Sequence, residues 1–316
     1  LENYAFSELN LRVVHLPKNL IEIHDCFTSC PYLDTVYCQP GLHTIGKLAF
    51  DNCQSLRHID LKEGLVTIGE NAFSETRKLQ AIQLPNSLDT IGAGAFYNTG
   101  LLSITIPTNV SYIGTGAFVS NRVNNYNSNA FGSWYAGKYS HSYSGEGGTL
   151  QEVIFAANSQ LKSLPSYAFI GQVALRTIDW ANSNITTINK GAIAYCKSLK
   201  VPQFPKKLKT IKEYAFDQCS AIDTILLPPR LETIERYAFK DCENLVEVRI
   251  PNTVENIDKG CFDGCTSLQC VTIPEGTREK FEAMRGFPSL VGNCTWAGYY
   301  NSDCIKFPSG NRKGVY

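Results

Sequence analysis

The sequence predicts an α/β solenoid, a right-handed coil of about eleven units that share one parallel β-sheet, with short strands or helical turns on the other face. Three observations predict it: an apolar residue recurs every 21 to 24 residues with one exception, a LxxIxLP segment follows it at a fixed distance, and the 43% hydrophobic content is enough for a continuous core. The recurring apolar residues are Phe6, Phe27, Phe50, Phe73, Phe96, Phe118, Phe169, Ile193, Phe216, Phe239 and Phe262.

The unit has the general form AFxxCxxLxxIxLPxxLxxIG. Ile82 and Leu84 are two residues apart, so both side chains point to one face of a strand and into the solenoid. Pro85 cannot donate a ladder hydrogen bond, so the strand ends there. The Gly-Ala-Gly-Ala-Phe segment ending at Phe96 is predicted to form a short helical or 3₁₀ turn. The LxxIxL core is that of a leucine-rich repeat, and stacked units bury an apolar set that one unit cannot bury alone.

A leucine-rich-repeat array is predicted over residues 1–274, with an insertion at 120–148, followed by a C-terminal cap and tail at 275–316. The strand near Val201-Pro202 is expected to be weakened, because proline lacks the amide proton. The other strands of one parallel sheet are expected at Val14, Val36, Ile59, Ile82, Ile104, Val153, Ile178, Ile225, Val248 and Val271.

Most of the twelve cysteines are in phase with the repeat. Several units carry Thr76, Thr99 or Gln172 where others carry cysteine, so a disulfide cannot be part of the repeat's design. We expect the in-phase cysteines to be reduced and buried as small, soft core groups. These are Cys26, Cys30, Cys38, Cys53, Cys196, Cys219, Cys242, Cys261 and Cys265. Any disulfide is expected to come from the out-of-phase residues, which are Cys270, Cys294 and Cys304.

Composition and motifs argue against several classes of function. The 29 basic and 29 acidic residues cancel, whereas proteins that bind nucleic acid or anionic lipid through a broad footprint carry a basic excess. No apolar run is long enough to cross a bilayer. No CxxC, HExxH, phosphate loop or nucleophile elbow occurs, so we predict no metal, no cofactor and no catalytic residue. No signal or anchor segment is present, but the chain opens inside a repeat at Leu1, as a mature or trimmed product would.

With the AFxxCxxLxxIxLP unit, the chain resembles the BspA-like leucine-rich repeats found on surface and secreted proteins of gut and oral anaerobic bacteria and in some parasitic protists. The resemblance covers residues 1 to about 290. The Pro-Glu-Gly turn at 274–276 looks like the usual exit of such arrays into a short capping helix. The resemblance implies a non-enzymatic extracellular or cell-surface binding or adhesion module, whose partner is a host or bacterial surface protein or glycan. The insertion and the stretch from 287 to 316 depart from the family pattern.

One candidate binding surface is the concave sheet face, onto which the residues flanking each central apolar residue point. This face is expected to be mixed in character, without an aromatic stripe or a charge block. His58 and Asp60 share one side of a strand and are the closest approach to an acid/base pair, although a solvated polar pair is the favoured interpretation. Glu247 and Arg249 are the other candidate residues on this face.

The insertion at 120–148 is the second candidate surface. It is rich in Asn, Ser, Gly and Tyr, a mixture that gives broad aromatic contacts and adaptable hydrogen bonds in antibody loops. A low-complexity loop without a binding role is the alternative. The candidate ligand-binding residues in it are Tyr126, Trp134, Tyr135, Tyr139 and Tyr143.

Two other functions stay open at this point. A structural spacer that presents a neighbouring domain or anchor is favoured if the concave face is featureless and the insertion is disordered. An enzyme requires a pocket with a perturbed cluster of titratable residues.

Overall fold

The computed structural model describes residues 4–120, 147–200 and 202–287, together with a strand at 302–306. Within them the chain coils into a solenoid of parallel strands, and each turn passes through two columns of strands and one corner. The first column consists of β1 Val13–His15, β3 Thr35–Tyr37, β5 His58–Asp60, β8 Ser103–Ile106, β10 Glu152–Phe155, β12 Thr177–Asp179, β15 Thr224–Leu226, β17 Glu247–Arg249 and β19 Cys270–Pro274.

The strands of the first column lie where the LxxIxL pattern predicts them, but they do not form one uninterrupted sheet. They pair in parallel as β1-β3-β5, β8-β10-β12 and β15-β17-β19. The residues around Ile82 form no strand, so that prediction was wrong, and the break coincides with a shortening of the leucine spacing from 23 residues (Leu56 to Leu79) to 22 (Leu79 to Leu101). Residues 202–205 also form no strand, as the missing amide of Pro202 predicts.

The second column is built from two-residue strands, most of them Thr-Ile. The second residue, isoleucine in all but the leucine of β11, is buried in each, while the preceding residue is partly or fully exposed. These strands pair in register in two five-stranded parallel ladders. They are β2 Glu22–Ile23, β4 Thr44–Ile45, β6 Thr67–Ile68, β7 Thr90–Ile91, β9 Tyr112–Ile113, β11 Ser163–Leu164, β13 Thr187–Ile188, β14 Thr210–Ile211, β16 Thr233–Ile234 and β18 Asn256–Ile257.

The corner that carries the core phenylalanine is not helical, contrary to the expectation for the Ala-Phe segment. In one turn the N–H groups of Leu48, Phe50 and Asn52 donate to carbonyl groups 22 residues further along the chain, and other turns repeat the pattern. Positive φ angles at Leu48 (54°) and Asn52 (60°) turn these amides in one direction. The described residues contain a single helix, α1 Arg278–Glu282, so the α/β class is not confirmed. The right-handed sense of the coil stays a prediction.

The core is a continuous column of side chains, as the repeat predicts. The rings of Phe6 to Phe169 stack from turn to turn, and those of Phe216 to Phe262 do so again, with centroids 5.1–5.6 Å apart. Ile193 occupies the same buried position between the two runs. Such a column only exists when turns are stacked, so each turn depends on its neighbours for burial.

The prediction for the in-phase cysteines is confirmed: all nine are buried and none of them forms a disulfide. Their thiols also make a contact that the sequence did not predict. The Sγ atom of Cys53 donates to the carbonyl of Phe27 at 3.0 Å, and that of Cys265 to the carbonyl of Phe239 at 3.1 Å. Cys270 is disulfide-bonded, in agreement with its assignment to the out-of-phase group. Cys294 and the side chain of Cys304 lie outside the described residues.

The insertion interrupts the chain but not the stacking. Strands β8 and β10 pair directly, with Ser103 opposite Glu152. The hydroxyl of Ser120 and the N–H of Gly148 both donate to the carbonyl oxygen of Gly171, at 2.5 and 3.3 Å. The two ends of the insertion therefore meet at one point of the next turn.

After the last turn, β19 also pairs with the antiparallel strand β20 Ser302–Lys306. Phe281 of α1 is buried against Phe287. The division into an array at 1–274 and a cap and tail at 275–316 stays a prediction. In the part of the chain that the structure describes, no helix has the length and apolar character needed to cross a membrane.

Candidate ligand-binding face

The outer face of the first column presents the side chains on either side of each buried central residue. In β5, Ile59 is buried while His58 and Asp60 point outward. The register sets Val13, Thr35 and His58 side by side across three strands. The face therefore follows the two columns of residues that the sequence predicts.

An aromatic stack lies on this face at the first three strands. The rings of His15 and Tyr37 are directly opposite each other in β1 and β3 and stack with centroids 4.6 Å apart and planes 13° apart. The ring of His58 meets Tyr37 edge-on at 6.2 Å. Val13, 52% exposed, lies beside the rings. The expectation that this face has no aromatic stripe was therefore wrong. The sequence does contain evidence for the stack, because His15 and Tyr37 occupy the same outward-facing position in consecutive turns.

Asp60 belongs to an ion pair and not to an acid/base pair with His58. Its carboxylate lies 2.6 Å from the Nζ of Lys62, which is on the same segment of chain. Both side chains are more than a third exposed, so the pair adds little to stability. His58 is engaged by the ring of Tyr37 instead. The favoured interpretation of His58 and Asp60 as solvated polar residues agrees with these contacts.

Glu247 and Arg249 form their own ion pair on β17, with Nε of Arg249 2.7 Å from a carboxylate oxygen of Glu247. Leu226, 47% exposed, lies opposite Arg249 on the neighbouring strand. Seven turns of about 4.8 Å each, roughly 34 Å, separate this pair from His58. The four candidate residues of the sheet face therefore lie in two separate patches, one near each end of the array.

The candidate residues of the insertion, Tyr126, Trp134, Tyr135, Tyr139 and Tyr143, lie outside the described residues. What the structure describes is the base from which the insertion departs. There the side chain of Gln172 donates to the carbonyl of Phe118 at 2.7 Å and accepts from the N–H of Leu150 at 3.3 Å. One buried amide thus joins the turns on either side of the insertion.

A second group of aromatic residues lies at the phenylalanine corner. Tyr214 and Tyr237 stack at 5.1 Å, with Lys190 over the first ring at 5.8 Å and Arg236 over the second at 5.6 Å. Glu213 pairs with both cations. Burial raises the pKa of Glu213, but hydrogen bonds from Lys190 and Arg236 outweigh it and hold the pKa below its usual value. The charges of this group satisfy one another, which is typical of a stabilising cluster.

The described residues contain no group of three or more His, Cys, Asp or Glu side chains that could hold a metal ion. Cys196, Cys219 and Cys261 are poor nucleophiles, because burial raises the pKa values of their thiols above the ordinary range.

A family model described as a BspA-type leucine-rich-repeat region, with six copies, matches residues 1–125, 144–225 and 162–283. No curated protein matches the chain.

Several solved structures are similar to it. A leucine-rich cell surface protein from Faecalibacterium prausnitzii A2-165 is 23% identical over 89% of this chain and 83% of that one, with a TM-score of 0.43. A leucine-rich-repeat protein from Bacteroides ovatus is 20% identical over 88% and 91%, with a TM-score of 0.35. The pneumococcal vaccine antigen PcpA is 20% identical over 81% and 66%, with a TM-score of 0.49.

Proposed function

The chain belongs to the BspA-type leucine-rich-repeat family, and on that premise we propose that it is a non-enzymatic binding or adhesion module of the cell surface or extracellular space. Its ligand is a surface protein or glycan of a host or of another bacterium. The site is the stack of His15, Tyr37 and His58 on the sheet face, with Val13 at its side.

The observation that carries this proposal is the exposure of a pre-organised aromatic platform. Tyr37 is 37% exposed, although its ring already stacks on His15. Because this stack already restricts the side chain of Tyr37, a flat partner that covers the ring causes little further loss of side-chain conformational entropy. Aromatic rings with a polar edge suit both sugar rings and the anchor residues of protein interfaces. A spacer has no use for such a platform.

A glycan and surface-protein array probed with the intact chain tests the proposal, followed by affinity measurements on each hit. Tyr37→Ala should weaken binding by about 2 kcal/mol, the loss expected of an interface hot spot. Gln83→Ala, at an exposed position in the same column, is the matched control and should bind as the original chain does. Full affinity of the Tyr37→Ala protein would contradict the assignment of the site.

The insertion is a second candidate for the recognition element, with Trp134, Tyr135 and Tyr139 as anchors. Its aromatic composition supports this, as does the meeting of its two ends at Gly171, which makes it an excursion from a regular array. Glu247 and Arg249 are the third candidate patch. A ligand that binds equally well after Tyr37→Ala and after removal of 121–146 would direct attention to that pair.

A further inference from the structure

Acidic residues of the turn at 213–235 lie opposite lysines of the turn before it, at 190–212. Residues 190–212 contain seven lysines and no acidic residue, whereas residues 213–235 contain five acidic residues and one basic residue, Arg230.

 Thr210 pairs with Thr233, so residues 23 apart lie side by side. In that register Lys190 lies 2.9 Å from Glu213, and Lys209 lies 2.6 Å from Glu232.

The matching fails at a second bend of each turn, where the chain passes from the first strand column to the second; this bend is distinct from the corner that carries the phenylalanines. There Lys206 lies opposite Pro229, and Lys207 lies opposite Arg230, a residue of the same charge. Like charges side by side on neighbouring strands are destabilising. All three cations are exposed, and none has a carboxylate within ion-pair distance among the residues that the structure describes. We call Lys206, Lys207, Arg230 and the nearby Lys280 the corner strip.

Uncharged oxygen atoms surround the corner strip. The Nζ of Lys206 donates to the side-chain oxygen of Asn182 at 3.1 Å, and that of Lys207 donates to the side chain of Asn184 at 2.5 Å. The Nζ of Lys280 donates to the backbone carbonyl of Asn252 at 2.5 Å. These contacts attach the three ammonium groups to asparagine residues and leave their charge uncompensated.

We propose that the corner strip binds a linear anionic polysaccharide through its sulfate or carboxylate groups. The turns repeat at about 4.8 Å, a spacing comparable with the length of one sugar ring, so a chain laid along the array meets a cation at successive turns. The asparagine side chains add donors and acceptors for hydroxyl groups. A protein partner is less well served, because the strip has no aromatic anchor.

The proposal concerns a different surface from the aromatic stack, so either can fail without the other. Its test measures the affinity of the full chain for a heparin octasaccharide as a function of salt. The strip variant is Lys206→Gln, Lys207→Gln and Arg230→Gln together. The matched control, Lys78→Gln, Lys162→Gln and Lys197→Gln, removes the same charge from exposed lysines elsewhere. Circular dichroism checks that both variants keep the fold.

The strip variant should bind at least about tenfold more weakly than the original chain and with a smaller salt dependence, while the control keeps nearly full affinity. An equal loss in both variants would mean that binding follows total charge alone and would overturn the proposal. So would equal affinity for a poly-glutamate peptide or for duplex DNA, and so would no measurable binding of the octasaccharide at physiological salt.

Discussion

The thiol of Cys242 donates a hydrogen bond to the carbonyl oxygen of Phe216, 3.3 Å away in the preceding turn. Both residues are completely buried, so water cannot replace this donor. At the same position in other turns, Gln172 donates to the carbonyl of Phe118 in the preceding turn, whereas Thr76 donates to the carbonyl of Phe73 in its own turn. The cysteines thus fill the core and also add a hydrogen bond from one turn to a buried carbonyl group of the turn before.

Cys242→Ala should therefore destabilise the protein more than Cys242→Ser. Alanine removes one of the two donors to the carbonyl of Phe216, the other being the N–H of Cys219 at 3.2 Å, and the lost hydrogen bond costs about 1 kcal/mol, while serine keeps a donor in place. Urea unfolding of the two variants measures the difference. An alanine variant as stable as the original chain would show that the thiol acts through volume alone.

Stability should fall in alkaline solution between about pH 9 and pH 12, in part through Cys38. Burial raises the pKa of the Cys38 thiol from 9.0 to about 12. Below pH 9 the thiol is protonated in both states; above it, the unfolded chain loses the proton while the folded chain keeps it, which favours unfolding. At pH 10.5 the ionisation of Cys38 in the unfolded chain alone lowers the free energy of unfolding by about 1–2 kcal/mol.

Cys38→Val is the control for the alkaline loss, because it removes the titrating group and keeps an apolar side chain of similar size. The urea midpoints of both proteins at pH 8 and pH 10.5 give the comparison. We expect the decline to be smaller in the valine variant, and an identical decline in the two proteins would rule out a contribution from this thiol.

Phe239→Ala should cost about 3–5 kcal/mol, whereas Phe6→Ala should cost much less. The ring of Phe239 is completely buried between Phe216 and Phe262, while Phe6 is only partly buried and stacks on Phe27 alone. Chemical denaturation of both variants tests this. Equal losses would be incompatible with a core that is built by stacking.

Removal of residues 121–146 should leave the melting temperature nearly unchanged. Ser120 and Gly148 already donate to the same carbonyl of Gly171, so a short linker can join the two ends, and closing a shorter loop costs little. Gln172→Ala is the contrasting variant, since it removes the amide that joins the turns and should lower the melting temperature. A deletion variant that fails to fold would show that the insertion packs against the array, and would count against its role as a recognition element.

The repeat was predictable because a regular spacing of apolar residues leaves few ways to bury them. Val36 and Ile59 are strand centres that the pattern locates correctly, and the weak strand at Pro202 follows from one missing amide. The corner was not predictable, because Leu48 adopts a positive φ that local propensity disfavours and that only the hydrogen bonds to the next turn make favourable.

The candidate site was predictable only in part. His58 and Asp60 were identified by their place on the strand, but the role of His58 depends on the ring of Tyr37 in another turn. Such a contact becomes visible when the columns are compared across turns as well as along the chain. The pairing of Asp60 with Lys62 is equally a matter of side-chain conformation, which residue spacing does not determine.

The backbone of the corner that carries the phenylalanines gives the array a net electric dipole along its length. Along the corner, the N–H groups of each turn point to the turn that follows, so peptide dipoles of about 3.5 D add up instead of cancelling. The positive pole lies at the turn of Phe262, the reverse of an α-helix, whose positive pole is at its N-terminus. Asp258 and Asp263 lie in that turn, where their negative charges offset the positive end of the dipole. A neutral chain can in this way still orient in the field of a charged surface.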